Sequence, residues 1–221
     1  MHSQSLAEKL FELFVARDDV YGVETSEGWR TEKGRLTPKE VQDHLNGKYA
    51  LGVYPFNKKG YIKWLCIDLD YKSGEYLTIY MSRKFGKNSI IEEETGGKGT
   101  HVWAFLQPTP LWQIAPKITE MENEFGVRIF PKQREWKTDI IGNFIRLPLG
   151  KHHKTGNWSK IVKGDIWTVK PYVTCVHRVY DQYGVYDQYG DGNCLAIDGT
   201  VGYCQENICP HLLKRSQHYG R

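Results

Sequence analysis

The sequence predicts an α+β fold built on antiparallel sheets. Strand-like and helix-like segments are intermixed along the chain, and neighbouring strands are close enough in sequence to pair antiparallel. Beyond about residue 170 the pattern changes, because VYDQYG occurs twice in tandem (179–184 and 185–190) and four of the five cysteines lie there. We therefore expect a core over residues 1–170 and a C-terminal appendage over residues 171–221.

The first quarter of the chain predicts a helix, a strand and a second helix. Residues 1–17 bring apolar side chains to one helical face: Leu6, Leu10, Leu13 and Phe14. Val20–Val23 is a short strand-like run, and a polar, glycine-containing connector follows it. Thr37-Pro38-Lys39-Glu40 is typical of a helix start, because Thr can cap the helix, Pro suits its first position and Glu its third. This helix is expected to end near Asn46-Gly47.

The remaining core elements follow from strand-like runs, turn residues and helical periodicity. The turn residues Asn57-Lys58-Lys59-Gly60 join the first two of these strands. The last two strands of the series are typical of a hairpin pair. In order, the predicted elements are strands 49–54 and 61–70, helix 75–84, strands 89–94 and 101–106, helix 111–125, and strands 127–130 and 143–147.

An acidic pair closes the predicted strand Trp64-Leu65-Cys66-Ile67-Asp68-Leu69-Asp70. Residues two apart on a strand point to the same face, so Asp68 and Asp70 present two carboxylates side by side. The carboxylates repel each other unless a cation joins them, and oxygen ligands suit Mg²⁺ or Mn²⁺. The alternative is a strand end that runs into an acidic loop, with both carboxylates solvated.

A glycine-rich turn lies between two predicted strands and reads Thr95-Gly96-Gly97-Lys98-Gly99-Thr100-His101. Backbone N–H groups of such a turn can approach phosphate oxygens, while Lys98 supplies positive charge and His101 can donate a hydrogen bond. The order of residues excludes a Walker loop, since a strand follows rather than a helix. An ordinary turn between strands is the alternative.

A cationic cluster occupies the segment IRLPLGKHHKTG, where five cationic or potentially cationic side chains fall within nine residues. They are Arg146, Lys151, His152, His153 and Lys154. These groups repel each other unless an anion binds among them, and a triphosphate suits such a cluster. The alternative is a solvated basic loop.

Together and in this order, the three motifs resemble those of the archaeo-eukaryotic primase superfamily. Its members carry an acidic strand motif, a Ser/Gly-rich motif ending in His, and a strand reading Arg-Leu-Pro with a His in the next loop. The flanking segments HLNGKYALGVYPF and RIFPKQ are similar to those of primase-polymerases from TOTE conflict systems and CRISPR-associated proteins. The resemblance covers about residues 10–170.

The resemblance implies a primase-polymerase core with an N-terminal α/β module and an RRM-like antiparallel palm sheet. Such a domain is a nucleotidyltransferase that joins dNTPs or NTPs on a DNA template or primer with two Mg²⁺ or Mn²⁺ ions. Asp68 and Asp70 would hold these metals. The implied triphosphate-binding residues are Gly97, Lys98, Gly99, His101, Arg146 and His152, with Lys151 or Lys154.

The third metal ligand is where the sequence departs from the family. Relatives carry an Asp on the strand ahead of Arg-Leu-Pro, whereas this chain reads FPKQRE and has no Asp there. We expect Glu135 to take this role, with Asp139 as the substitute.

Composition places few limits on the partner or the compartment. The net charge is +4, from 30 Lys and Arg against 26 Asp and Glu, which is compatible with a polyanionic partner without requiring one. The sequence contains neither a long apolar run nor a secretion signal, so we expect a cytoplasmic protein without a membrane partner.

The tail contains enough ligands for one structural Zn²⁺, although their spacings fit no familiar ribbon or finger. The candidate ligands are Cys175, His177, Cys194, Cys204, Cys209 and His211. The tail could equally be the start of a further domain of a longer polypeptide.

Two other functions use some of the same residues. A non-catalytic, RRM-like nucleic-acid-binding module would rely on aromatic and lysine side chains and would not need Asp68 and Asp70. A metal-dependent nuclease would use clustered carboxylates but has less need of a triphosphate site.

Overall fold

The computed structural model describes residues 3–25, 27–71 and 73–174, together with the backbone of two further strands at 178–181 and 184–187. The chain divides into two compact units, Met1–Pro171 and Tyr172–Arg221. The helices of the first unit are α1 (Leu6–Phe14), α2 (Pro38–Leu45), α3 (Glu75–Phe85) and α4 (Leu111–Phe125), with a short 3₁₀ turn at Lys87–Ser89. Its strands are β1 (Val20–Thr25), β2 (Gly28–Lys33), β3 (Ala50–Val53), β4 (Tyr61–Leu69), β5 (Ile90–Glu94), β6 (Thr100–Pro110), β7 (Arg128–Phe130), β8 (Ile145–Arg146) and β9 (Lys160–Lys163).

In the second unit, the tandem repeat forms a two-stranded hairpin. Strands β10 (Arg178–Asp181) and β11 (Gly184–Asp187) pair antiparallel, with Val179 opposite Tyr186. The cysteines and histidines that were considered for zinc lie outside the described residues.

The larger sheet of the first unit has five antiparallel strands in the order β7-β4-β6-β5-β9. In the order of the sequence, four of these strands and two helices follow each other as β4-α3-β5-β6-α4-β7. This βαββαβ succession, with the first strand central, is the arrangement of a ferredoxin-like or RRM-like sheet. The predicted α+β class and the antiparallel pairing are therefore confirmed.

The two faces of the larger sheet have different roles. Helices α3 and α4 cover one face, where α3 contacts β5 and β6 and α4 contacts β6 and β7. The buried carboxylate of Glu92 fixes α3 there, because it accepts hydrogen bonds from Gly74 N at 3.0 Å and Thr78 Oγ1 at 2.8 Å. Alternation along β4 leaves Asp68 on the opposite face, with Trp64 and Cys66.

The smaller sheet has four antiparallel strands in the order β2-β1-β3-β8. Helix α2 begins with the predicted capping box, in which Thr37 and Glu40 satisfy each other's backbone N–H groups. Helix α1 packs against α2 and against β4 of the larger sheet. Its Phe14 lies edge-on to Trp103, with ring centroids 4.9 Å apart, and its carbonyl accepts a hydrogen bond from Trp64 Nε1. The two sheets therefore share one buried core with α1.

Three expectations about strands were wrong. Residues 28–33 were expected to be connector, yet they form β2, an exposed edge strand without apolar alternation. The runs at 49–54 and 61–70 do not form a hairpin, because β3 and β4 lie in different sheets. The expected hairpin of 127–130 with 143–147 is also absent, since β7 pairs with β4 whereas β8 pairs with β3. Apolar patterning indicates which face of a strand is buried, but it does not identify the partner strand.

None of the helices in the described part of the chain is long and apolar enough to span a bilayer.

Candidate active site

A cleft of about 540 Å³ lies between the two sheets of the first unit. The larger sheet contributes Asp68 and His101, and the smaller sheet contributes Trp29 and Arg146. The lining residues are Trp29, Asp68, Leu69, Asp70, Thr95, Lys98, Gly99, His101, Phe130, Phe144, Ile145, Arg146 and His152. All three sequence motifs therefore meet in one concave surface.

The acidic pair lies at the end of β4, where the strand reaches the cleft. Asp68 retains 26% of its side-chain exposure, and Asp70, just beyond the strand, retains 86%. Arg128 on the neighbouring strand β7 faces both carboxylates. Its Nη2 lies 2.7 Å from Asp70 Oδ2 and 3.8 Å from Asp68 Oδ2. A guanidinium thus neutralises part of the negative charge of this pair.

The donor chemistry of this pair suits a hard divalent cation. Mg²⁺ commonly binds through one or two carboxylates and completes its shell with water and substrate phosphates. Among the described residues, no group of three or more His, Cys, Asp or Glu side chains is arranged to hold a metal ion. Asp68 and Asp70 therefore fit a site that substrate oxygens complete, rather than a cage made only of protein ligands.

His101 is held in position by a buried carboxylate on the adjacent strand. Its Nδ1 lies 3.0 Å from Glu93 Oε2, and the same oxygen accepts a hydrogen bond from Trp103 Nε1 at 3.1 Å. Because a carboxylate only accepts, Nδ1 of His101 carries the proton. The other ring nitrogen, Nε2, faces the acidic pair and lies 3.7 Å from Asp68 Oδ1.

The glycine-rich turn packs too tightly for larger residues at two of the predicted positions. A Cβ on Gly99 would lie 2.5 Å from the carbonyl oxygen of Leu69, and a Cβ on Gly97 would lie 2.9 Å from Nε2 of His152. The turn closes through Thr95, whose N–H and hydroxyl both donate to the Gly99 carbonyl. Lys98 is exposed at the tip of this turn.

The loop after β8 attaches directly to the glycine-rich turn. Thr155 Oγ1 donates to the Gly96 carbonyl at 2.8 Å, and Asn157 Nδ2 donates to the same oxygen at 3.2 Å. These contacts hold the second and third sequence motifs together and bring His152 beside Gly97. Burial lowers the pKa of His152, and the nearby Arg146 guanidinium lowers it further. Both effects favour the neutral imidazole.

Arg146 crosses from β8 to β1 of the smaller sheet. Its Nη2 lies 2.6 Å from Glu24 Oε2, and the two side chains retain only 13% and 6% of their exposure. The Arg146 guanidinium also lies 5.4 Å from the centroid of the Trp29 ring. The Arg146 guanidinium, predicted to bind phosphate, is therefore oriented by the buried Glu24 carboxylate, and the Trp29 indole lies beside it.

His44 connects helix α2 to the strands that present Arg146. The ring is fully buried, its Nδ1 accepts a hydrogen bond from Leu51 N, and its Nε2 donates to the Pro148 carbonyl, both at 3.0 Å. Burial lowers the pKa of His44, so the ring is neutral with its proton on Nε2. A Cβ on Gly150 would lie 1.9 Å from this ring, which explains the glycine there.

The structure separates some predicted site residues from the cleft. Lys151 and Lys154 are exposed on the loop after β8 and do not line it. Glu135 and Asp139 are also exposed and outside it. Trp136, next to Glu135, packs against Gly60 at the start of β4. That position is roughly 25 Å along the strand from Asp68, so the expectation that Glu135 completes the acidic site is not supported by this geometry.

Sequence reasoning missed several residues that shape the cleft. Glu24 and Glu93 orient Arg146 and His101, Arg128 faces the acidic pair, and Trp29 and Phe144 supply its aromatic surface. Glu93 lies on the same face of β5 as Ile91, but the sequence IIEEE does not distinguish it from the two neighbouring Glu residues. Glu24 and Trp29 depend on pairing between strands, which the sequence does not display.

Comparison with protein families places these motifs in a known group. The family described as "TOTE conflict system, Archaeo-Eukaryotic Primase domain" matches residues 22–179. No curated protein sequence is significantly similar to the chain.

Two solved structures illustrate the similarity of the fold. The archaeo-eukaryotic primase domain of the cyanophage S-2L primase-polymerase matches with a TM-score of 0.50 at 14% identity, over 74% of this chain and 89% of that chain. The catalytic domain of primase RepB′, in complex with initiator DNA, matches with a TM-score of 0.46 at 10% identity, over 75% of this chain and 85% of that chain. The first match shows that the two domains share their fold.

Proposed function

Because this chain belongs to the archaeo-eukaryotic primase family of TOTE conflict systems, we propose that it is a nucleotidyltransferase that joins nucleoside triphosphates on a DNA template. The observation that supports the proposal most directly is the arrangement of charge in the cleft. Asp68 and Asp70 line one side, and Lys98, Arg146 and His152 line the same cavity. Carboxylates suit divalent cations, and the cationic groups suit the phosphates that those cations accompany.

The protein's contribution to phosphoryl transfer is mainly positioning and charge stabilisation. Bound to Asp68 and Asp70, Mg²⁺ or Mn²⁺ would activate the attacking 3′-hydroxyl and stabilise the charge of the leaving pyrophosphate. Arg146, oriented by Glu24, would neutralise phosphate oxygens from the side of the smaller sheet. Backbone N–H groups of the glycine-rich turn and the exposed Lys98 would contact the same phosphates.

His101 and His152 would act as hydrogen-bonding groups at this phosphate site. With Nδ1 of His101 committed to Glu93, only Nε2 of this ring is available to a ligand. A triphosphate adds negative charge beside His152 and so favours its protonated form, which donates to phosphate oxygens. His152, whose pKa is lowered by burial, would gain its proton when a nucleotide binds.

The test is a primer-extension assay with labelled dNTP, a template-primer duplex and Mn²⁺. The wild-type protein should lengthen the primer, whereas Asp68→Asn and Asp70→Asn should reduce extension by about a thousandfold or more. Asp165→Asn, an exposed carboxylate outside the cleft, is the matched control and should leave extension unchanged.

Other outcomes would assign a different function. Shortened products that depend on metal would indicate a nuclease. DNA binding without synthesis, unaffected by Asp68→Asn, would indicate a non-catalytic module. Titration of Mn²⁺ in a calorimeter provides an independent measurement, since both Asp variants should lose metal binding even where no reaction occurs.

A further inference from the structure

We propose that Trp29 and Phe144, the aromatic wall of the cleft, form its nucleobase-binding surface, with the base of the incoming nucleotide stacked on Trp29. This inference rests on the proposed function, because it assumes that a nucleoside triphosphate occupies the cleft. The groups predicted for this site bind only metal and phosphates, and the aromatic wall adds a surface that binds the base.

The aromatic wall is built on a pair of glycines in neighbouring strands. Gly22 of β1 and Gly52 of β3 are directly opposite each other, and Phe144 lies across both. A Cβ on Gly22 would lie 2.9 Å from the Phe144 ring, and a Cβ on Gly52 would lie 2.4 Å from it. The bare backbone of two strands therefore fixes the position of one aromatic ring.

Phe144 in turn supports Trp29. The two ring centroids are 5.0 Å apart with an angle of 44° between the planes. Tyr54 packs edge-on against Phe144 at 5.5 Å and buttresses it from another side. Trp29 is thus held by packing rather than left as a freely rotating surface side chain.

Trp29 is nevertheless 36% exposed, and its exposed surface lines the cleft. The Arg146 guanidinium lies 5.4 Å from the indole centroid. The proposed phosphate-binding group therefore adjoins the aromatic wall. A nucleotide bound with its phosphates at Arg146 would have its base within reach of Trp29, because the guanidinium and the indole adjoin each other. A partly exposed indole held beside a phosphate site is the arrangement by which proteins stack bases.

Stacking on Trp29 predicts little preference among bases. The contact uses the π-face that every purine and pyrimidine presents, so it stabilises all four nucleotides without reading their hydrogen-bonding edges. This suits an enzyme in which base pairing with a template selects the nucleotide. The ligand class is therefore any nucleoside triphosphate, and dATP and dTTP should bind with similar affinities.

The experiment compares ligands with and without a base on the same variants. Isothermal titration with dATP, dTTP and inorganic tripolyphosphate, each with Mg²⁺, should show dATP binding to the wild-type protein about tenfold more tightly than tripolyphosphate. Trp29→Ala should lose this difference while its affinity for tripolyphosphate is retained. Trp29→Phe should recover most of it, since a phenyl ring still stacks.

A matched control separates stacking from general loss of an indole. Trp112 is 71% exposed on α4 and does not line the cleft, so Trp112→Ala should bind all three ligands as the wild type does. Thermal unfolding of each variant verifies that the fold is retained.

The outcomes distinguish this inference from the proposed function. If Trp29→Ala binds dATP as tightly as the wild type, or if Trp29→Phe is as weak as Trp29→Ala, stacking is wrong while the triphosphate site stands. If the wild-type protein binds dATP and tripolyphosphate equally, the base contributes nothing and the inference fails alone. If the wild-type protein binds neither, both the inference and the proposed function are overturned.

Discussion

Glu93 Oε2 lies 3.0 Å from Nδ1 of His101, directly across two paired strands of the larger sheet. The carboxylate retains 1% of its exposure, and it also accepts a hydrogen bond from Trp103 Nε1. One buried acid therefore fixes both the imidazole that faces the cleft and an indole of the core.

Replacement of Glu93 should cost stability as well as activity. Glu93→Ala leaves Nδ1 of His101 and Nε1 of Trp103 without their acceptor, and each buried unpaired donor costs about 1–3 kcal/mol. We expect the free energy of unfolding in urea to fall by about 2–6 kcal/mol. Glu94→Ala on the same strand removes only a partly exposed ion pair with Lys160 and should cost about 1 kcal/mol or less. Equal losses in the two variants would contradict this assignment.

The buried ion pair of Arg146 with Glu24 allows the contribution of Arg146 to stability to be measured apart from its contribution to phosphate binding. Arg146→Met leaves the Glu24 carboxylate buried and unpaired, which should cost about 3–5 kcal/mol in urea unfolding. The double variant Glu24→Gln/Arg146→Met removes both charges and should recover most of this loss. Its affinity for dATP should stay as low as that of the single variant. Recovery of both stability and affinity would show that Arg146 acts only through the fold.

Arg128 should weaken metal binding at the acidic pair. Its guanidinium faces Asp68 and Asp70 from strand β7, so a divalent cation that approaches these carboxylates is repelled by a positive charge. Because Arg128 is half exposed, we expect Arg128→Gln to raise the affinity for Mn²⁺ only about two- to fivefold. Calorimetry with Mn²⁺ alone measures this. Arg83→Gln, an exposed change on α3, is the control, and a lower affinity in Arg128→Gln would refute the prediction.

Acid should destabilise the fold through His44. Burial lowers the pKa of this ring below its ordinary value of 6.5, so the unfolded chain binds more protons than the native protein below that value. The associated stability is complete above pH 6.5 and is lost as the pH falls. Urea unfolding at about pH 7.5 and about pH 5.5 should show a larger loss for the wild type than for His44→Asn. Asp19 does not interfere, because its hydrogen bond with Arg17 lowers its pKa to about 2.

His152 offers a check on that interpretation, since burial lowers its pKa as well. If His152→Asn removes the acid sensitivity and His44→Asn does not, the imidazole in the cleft rather than the one in the core is responsible.

Much of the fold could be read from the sequence because its signals are local. The capping box in Thr37-Pro38-Lys39-Glu40 predicted the start of α2. Helix α4 has the predicted bounds, Leu111–Phe125. Strand-like runs of residues located β4 and β5. The partners of β3, β7 and β8 could not be predicted, because a strand of two to four residues pairs with whichever edge the tertiary packing offers it.

The site residues divide in the same way, into those that linear motifs predicted and those that only the structure reveals. Asp68, Lys98, His101, Arg146 and His152 lie in linear motifs whose family resemblance is confirmed by the match over residues 22–179, and the structure brings them into one cleft. The side chains that orient them are scattered, and only strand pairing reveals them. The prediction of Glu135 rests on its position ahead of the Arg-Leu-Pro strand. Its neighbour Trp136 packs against Gly60, at the opposite end of β4 from Asp68.

The order in which the chain is synthesised separates the two halves of the cleft. Among the strands that the structure describes, β8 is the last of the smaller sheet along the chain, and it pairs with β3. A nascent chain that has reached residue 140 already contains β4, β5, β6 and β7, and with them both aspartates and the histidine of the larger sheet. It still lacks Arg146 and His152. During synthesis, the carboxylate side of the cleft is therefore translated before Arg146 and His152, which complete its lining.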